Sequence, residues 1–478
     1  MNDTDATVVL REAPPRRRWG RFVVLTLVLI ILGSVLSWTG MQVFRRYQAQ
    51  QTLDEAVAAV DQKDSGWRLE DLEASRTAIA DDQNPALVIV KARSLLPKSW
   101  LPALPGPLPQ HQILPDQLEE IETQLQAVGE ALSVSASLSQ PRDGQFPNED
   151  PRSPLDESKN SSNAPTVAQL LRMRATALAQ RGDLEGAAQA TLGVACTARA
   201  IGDERRLVAQ MMRLRCRNEL LFCVERLLGQ GQLSVATLAR IQTALEEESA
   251  VPASEYALEG ERAGYHQMAL SAEAGSIDLA KISLQVSTPP NPYKEFVFGT
   301  LTSTLARQGH ARMLPVMTEL VAVTRLPPEA QREAQDKLAG DWNFRIGDYW
   351  YFFPDLHKRV RGVPGLFRIN LAWMRCGIVA VAAERYRQAH GRWPEKVEDL
   401  ADGPLPSWAK DPLGGSAPLL LERKKDGLTI RSQGKDGTGA DNGAPDRRAS
   451  VSVPPMTRLY DVDKRRQPPQ PRPTEERD

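Results

Sequence analysis

Residues 22–44 read FVVLTLVLIILGSVLSWTGMQVF, and this stretch decides the architecture of the chain. It contains no charged side chain, and as a helix it would rise about 34 Å, at about 1.5 Å per residue. The hydrocarbon core of a bilayer is about 30 Å thick. We therefore predict a transmembrane helix over residues 22–44.

A cleaved signal peptide is the alternative explanation of this segment. The apolar run is longer than the roughly 7–15 residues usual for the apolar region of a signal peptide. No clear cleavage site with small residues follows it. A membrane anchor is therefore the favoured interpretation, and the signal peptide stays open.

Arginines on the two sides of the segment predict its orientation. Arg11, Arg16, Arg17, Arg18 and Arg21 precede it, whereas only Arg45 and Arg46 follow it closely. Because positive residues are retained on the cytoplasmic side, residues 1–21 should be a cytoplasmic N-terminus. The prediction is a single-pass protein of the cytoplasmic (inner) membrane with a large extracytoplasmic domain.

Overall charge and cysteine content point to no particular partner. The 478 residues carry 59 basic and 60 acidic side chains, a formal net charge of −1, so we expect no nucleic-acid partner. The four cysteines are too few for a disulfide framework and should be buried as small apolar groups. Pairing of Cys196 with Cys216 or Cys223 across a helical hairpin is the alternative. The sequence leaves the oligomeric state unknown.

Periodicity and composition divide the rest of the chain. Residues 45–139 predict a membrane-proximal helical region, and residues 140–165, rich in Pro, Asp, Ser and Asn, predict a flexible linker. Residues 166–363 predict a helical-hairpin domain and residues 364–463 a small α+β module. The charged and proline-rich residues 464–478 predict a disordered tail.

Two helices are predicted on either side of a break at Arg181-Gly182-Asp183-Leu184-Glu185, with small residues where they would approach each other. The arrangement resembles one tetratricopeptide-type hairpin. No second unit in register follows, and repeat folds need about three units. A stack of helical hairpins is therefore expected rather than a repeat array.

The module at 364–463 carries a series of short motifs. They are His390-Gly391-Arg392-Trp393-Pro394, Lys410-Asp411-Pro412-Leu413-Gly414 and Ser432-Gln433-Gly434-Lys435-Asp436-Gly437. Between the last two, Asp426-Gly427 predicts a β-hairpin. A long helix, these motifs and a small sheet, over about residues 369–446, resemble the globular part of a type II secretion major pseudopilin. The predicted fold class is therefore mainly α: a transmembrane helix, an extracytoplasmic helical-hairpin body and a pseudopilin-like α+β module.

The chain also departs from that family. Arg21 follows Gly20, and residues 22–44 lack the acidic residue that a pseudopilin carries near the start of its membrane helix. Some 320 residues separate the anchor from the module, so it should not polymerise as a pilin does. The whole chain also resembles membrane-anchored helical proteins of planctomycete-like bacteria, a resemblance that implies no activity.

The resemblance implies one metal site. In the pseudopilin family the loop after the sheet binds calcium, and here it offers Asp436, Asp441, Asn442 and Asp446. Calcium takes six to eight oxygen ligands, which carboxylates and backbone carbonyls can supply. The alternative is a solvated loop, since the spacing is not that of an EF-hand.

Catalytic motifs are not found in the sequence: GxxxxGK[ST], HExxH and GxSxG do not occur. Glu255, Glu259 and Glu261 could be paired acids, although on a helix they are expected to form a solvated face.

Three functions remain open. The first is a non-enzymatic scaffold or interaction protein that contacts a partner through a helical groove or the C-terminal module. The second is an accessory component of a type II secretion or pilus-like assembly, and the third a hydrolase with an unrecognised active site.

Overall fold

The computed structural model describes residues 17–104, 108–147, 160–273, 292–346, 354–401, 403–415, 417–434 and 456–470. The chain is mainly helical there, with a small antiparallel sheet near its C-terminus. The helices are α1 Arg17–Lys63, α2 Leu69–Ala74, α3 Pro85–Ser94, α4 Pro115–Ala127, α5 Gly129–Ser135, α6 Asn163–Arg181, α7 Leu184–Arg199, α8 Leu207–Gln230, α9 Val235–Ser249, α10 Ala253–Glu273, α11 Pro292–Thr324, α12 Pro328–Ile346 and α13 Pro354–His390. The strands are β1 Leu420–Lys424, β2 Gly427–Arg431 and β3 Met456–Tyr460.

Helix α1 has an exposed half and a packed half. Every side chain from Phe22 to Met41 is exposed, as the predicted membrane segment requires. Further along, Ala49, Leu53, Ala56 and Val60 are buried at spacings of three and four, which place them on one face against α11. The apolar segment is thus a helix that could be a membrane anchor or a signal sequence, and it continues without a break into the body.

A second helix is long and apolar enough to cross a membrane, namely residues 360–390 of α13. Its most apolar window is 83% buried inside the protein. Small and branched side chains such as Ala372, Ile378 and Ala380 are fully buried, and α13 packs on α8, α9 and β3. It is therefore the central helix of the body.

The predicted hairpin is present as α6 and α7. Gly182 adopts φ 87°, a left-handed conformation that glycine tolerates, and it ends α6. The Asp183 side chain then accepts a hydrogen bond from the Gly186 amide at 2.9 Å and starts α7. The helix break predicted at these residues is confirmed, while the repeat resemblance stays a prediction.

One core crosses the predicted domain boundaries. A single apolar cluster joins residues of α3, α6 to α9, α13 and the sheet, from Ala86 to Leu459. The boundaries predicted at 139/140 and 363/364 therefore do not coincide with breaks in the core. Sequence periodicity shows which residues are apolar on one element, but not which elements share a core.

The predicted linker at 140–165 is packed at both ends. Phe146 is only 3% exposed, and the Asn84 side chain accepts from the Gln145 amide at 3.0 Å. Helix α6 already begins at Asn163. The linker prediction is wrong for residues 140–147 and 160–165, because a few apolar and small residues find partners in distant parts of the chain. Residues 148–159 lie outside the described residues.

The sheet has the order β1-β2-β3, with both pairs antiparallel. The predicted hairpin joins β1 and β2, and Lys425 and Asp426 form its two-residue turn. Gly427 starts β2 with φ 151°, and a Cβ there would lie 1.9 Å from the Leu459 carbonyl oxygen of β3. Glycine is therefore needed for the close approach of β3.

The described part of the predicted tail is ordered. Arg465 forms a buried ion pair with Glu384 of α13 at 2.8 Å. Gln467 exchanges backbone hydrogen bonds at 2.8 Å with Gln110 and Gln112, in the connector before α4. The prediction of disorder is wrong for residues 464–470, because their charged side chains and backbone find buried acceptors. Residues 471–478 lie outside the described residues.

All four cysteines are free and buried, so the alternative pairing of Cys196 is not realised. Burial raises the pKa of Cys196 to about 11 and those of Cys216 and Cys223 to about 12. Because the thiolate is the reactive form, we expect no alkylation of the native protein by iodoacetamide at pH 8 within an hour. Mass spectrometry should find four modified cysteines after denaturation. Rapid modification of the native protein would contradict this packing.

Candidate functional site

The four candidate calcium ligands, Asp436, Asp441, Asn442 and Asp446, lie outside the described residues, so the calcium site stays a prediction. The described chain stops at Gly434 and resumes at Met456. Within the described ranges, His, Cys, Asp and Glu side chains form no group of three that could hold a metal ion.

The start of that loop is fixed by Asp411, from the Lys-Asp-Pro motif. Its buried carboxylate accepts hydrogen bonds from the Ser432 hydroxyl at 2.8 Å and the Gln433 amide at 2.6 Å. It also accepts from the Leu413 amide at 2.9 Å. Two motifs some 20 residues apart are thus joined, and Asp411 has a structural role.

Two histidines that are distant in sequence also meet. His266 Nδ1 lies 2.9 Å from His310 Nε2 in the buried interior, and the ring of Trp67 packs edge-on against His266. The pair links α10 with α11 beside the packed half of α1. Both rings are buried, and neither histidine lines the cleft described next.

A cleft of about 250 Å³ opens where six helices meet. It is lined by the turn between α9 and α10, the turn between α11 and α12, one position of α8 and the middle of α13. Three of its lining residues are arginines. Arg217 lies on α8, Arg325 in the turn between α11 and α12, and Arg368 on α13. Its apolar lining includes Val251, Leu326, Phe367 and Leu371. It is the candidate functional site.

Arg217 belongs to a fully buried charge cluster. Its Nε lies 2.7 Å from Glu248 Oε1, and the Nε of Arg213 lies 2.9 Å from the same oxygen. Both arginines make their ion pairs with this one carboxylate. Burial raises the pKa of Glu248, but the two arginines outweigh burial and hold it below its usual range. Burial lowers the pKa of Arg217, and the charge of Arg213 adds to that effect.

Arg325 belongs to a second cluster, which is balanced. Its guanidinium binds Glu255 at 2.8 Å, Glu259 at 2.6 Å and Asp64 at 3.1 Å. Arg205 pairs with Glu259, and Arg262 pairs with Asp64. Three cations thus face three carboxylates at the end of α1.

Of the three glutamates expected to form a solvated face, Glu259 does not. Its side chain is buried between two arginines. Burial raises the pKa of its carboxyl, and the hydrogen bond from Arg325 opposes this in part. The expectation was wrong because the charge partner Arg325 lies in the turn after α11, 66 residues away.

Sequence reasoning missed Arg213, Arg217, Glu248 and Arg368. A signal existed in α8, since Arg213 and Arg217 are four residues apart and thus share a face. Like charges at this spacing are unfavourable on an isolated helix and point to a common partner. Arg368 gave no comparable signal.

No protein-family model matches the chain, and the comparisons with curated proteins and with solved structures find no match. Its function therefore has to be inferred from its own residues.

Proposed function

We propose that the protein is a single-pass scaffold or interaction protein that holds a helical domain at the extracytoplasmic face of the cytoplasmic membrane. One observation carries the proposal: the exposed apolar segment of α1 and the buried end of the same helix form one uninterrupted rod. A scaffold of this kind needs a firm connection between membrane and binding domain.

The packing of α1 favours an anchor over a cleaved signal sequence. Ala49, Leu53 and Val60 follow the apolar segment within a few turns and are buried in the body. Asp64, just after the helix, joins the charge cluster of Arg262 and Arg325. Cleavage after residue 44 would place a new N-terminus only a few residues before this packed end of α1.

The helical body favours a binding function over a catalytic one. Its cleft is lined by arginines and apolar side chains, and the carboxylates on its rim are held in ion pairs.

The test is protease accessibility in spheroplasts of cells that produce the full chain with an epitope tag at each end. We expect added protease to remove the C-terminal tag while the N-terminal tag stays protected and in the membrane fraction. The N-terminal tag should become sensitive only after detergent, and a cytoplasmic protein serves as the lysis control.

Two results would contradict this proposal. Protection of the C-terminal tag would reverse the orientation. Release of the body into the soluble fraction, with loss of residues 22–44, would identify a cleaved signal sequence.

A second candidate is an accessory role in a type II secretion or pilus-like assembly. It is favoured by α13 leading into a three-stranded sheet, and by Asp411 joining the two motifs shared with pseudopilins. In that role the sheet would contact related modules, and the predicted calcium site at Asp436, Asp441, Asn442 and Asp446 would stabilise the loop beside it.

A further inference from the structure

The charges around the cleft do not balance. Arg213 and Arg217 share the single carboxylate of Glu248, which leaves one excess positive charge. The cluster of Arg325 is balanced and contributes none. Arg368 forms no ion pair within the described ranges, and the carboxylate of Asp336 stabilises its positive charge only from a longer distance.

Arg368 also lines the cleft, and its hydrogen-bonding capacity is only partly filled. It is 7% exposed, and its Nη2 donates to Gln335 Oε1 at 2.6 Å. Its Nε and Nη1 are buried and have no hydrogen-bond acceptor in the described chain. Burial lowers the pKa of Arg368 to about 10; the charge of nearby Arg332 adds to this, and the carboxylate of Asp336 opposes it in part.

An unmatched guanidinium is costly inside a protein. Nearly all buried polar groups have a hydrogen-bond partner, and buried cations usually have a counter-charge. A native protein that keeps such a group beside an open cleft is expected to use it. An anion in the cleft would supply the missing acceptors of Arg368 and would offset the excess positive charge of the Glu248 cluster.

The remaining lining restricts the size and polarity of that anion. Val251, Leu326, Phe367 and Leu371 offer apolar surface, and the cleft of about 250 Å³ is smaller than most drug-sized sites. Glu255 also lines the cleft and would repel a second negative charge. These features favour one negative charge on a small apolar group over a phosphate.

We propose that the cleft binds a carboxylate carried by a small apolar group, with Arg368 and Arg217 facing the carboxylate. The source is either a free organic acid or the C-terminus of a peptide that ends in an apolar residue, and both present the same chemistry. The inference rests on the proposed interaction function and names the ligand class of its site.

Isothermal titration with the detergent-solubilised full chain tests the proposal. The probes are 4-methylpentanoate, its uncharged amide, inorganic phosphate and a tetrapeptide ending in leucine, all at constant ionic strength. We expect the acid to bind and the amide to bind at least about tenfold more weakly, as for loss of a hydrogen bond to a charged group. Tighter binding of the peptide than of 4-methylpentanoate would identify a peptide terminus as the source, and the reverse a free acid.

Three variants locate the site. Arg368→Gln removes the charge and should weaken binding of the acid at least about tenfold. Ala250→Trp places a bulky group at an exposed lining position and should block binding while Arg368 stays in place. Arg332→Gln removes a neighbouring arginine that does not line the cleft, and it should bind as the parent does.

Several outcomes would overturn the proposal. These are equal binding of acid and amide, binding of phosphate without binding of the acid, no binding of either carboxylate probe at 10 mM (about 10⁻² M, weaker than most specific sites), or unchanged binding by Ala250→Trp. If Arg368→Gln does not fold, Ala250→Trp decides. Membrane location and protease accessibility do not depend on this cleft, so failure here leaves the proposed tethering to its own test.

Discussion

Glu248→Gln should lower the free energy of unfolding by about 3–5 kcal/mol, the range for breaking a buried ion pair by removing one partner. Glu248 is fully buried and is the carboxylate that both Arg213 and Arg217 pair with. Glutamine keeps the shape but leaves two buried guanidinium groups without their counter-charge. Urea denaturation of the solubilised protein, followed by tryptophan fluorescence, measures the change.

The matched control is Glu247→Gln, one position earlier on α9. Its side chain is 51% exposed and lies 3.8 Å from Arg199, so we expect a loss below about 1 kcal/mol. Equal losses for the two variants would show that the buried cluster contributes no more than a surface pair.

The cluster also predicts a pH dependence. Because the folded pKa of Glu248 is below its unfolded value, its contribution is present above the unfolded pKa and is lost as the pH falls through the folded one. The stability difference between parent and Glu248→Gln should therefore be constant near pH 7. It should narrow below about pH 4, near the ordinary value of a glutamate.

Arg465→Ala should be the next most damaging of these changes, with a loss of about 2–4 kcal/mol. Its guanidinium bridges Glu384 and the carbonyl oxygens of Tyr460 and Gly231. Glu384 keeps a second partner in Arg387, so the loss should be smaller than for Glu248→Gln. The same denaturation experiment measures it.

Lys464→Ala is the control, because that side chain is 51% exposed and contacts only Asp463 at 3.7 Å among the described ion pairs. Its effect should be within about 0.5 kcal/mol. If Arg465→Ala were equally mild, residues 464–470 would not be part of the stable body.

Elements specified by neighbouring residues could be predicted from the sequence. The glycine at 182 and the turn before Gly427 each depend on conformations set within about four residues. The predicted apolar helix at residues 22–44 likewise follows from composition and length.

Features that depend on distant partners could not be predicted. Composition alone predicts disorder around Gln145 and Arg465. The structure shows that Gln145 is held by Asn84 and Arg465 by Glu384. The cleft was also missed, since Arg217 and Arg368 are about 150 residues apart and only the packing of α8 on α13 brings them to one site.

Residues 456–470 limit when the domain can finish folding during its synthesis. They supply an outer strand of the sheet and tie the chain end to the connector before α4, some 350 residues upstream. Folding that relies on such distant contacts is slow and leaves apolar surface uncovered meanwhile. In the proposed topology, a body that crosses the membrane from its anchored end cannot complete its sheet until residues 456–470 have crossed, so extracytoplasmic chaperones would meet it before it has folded.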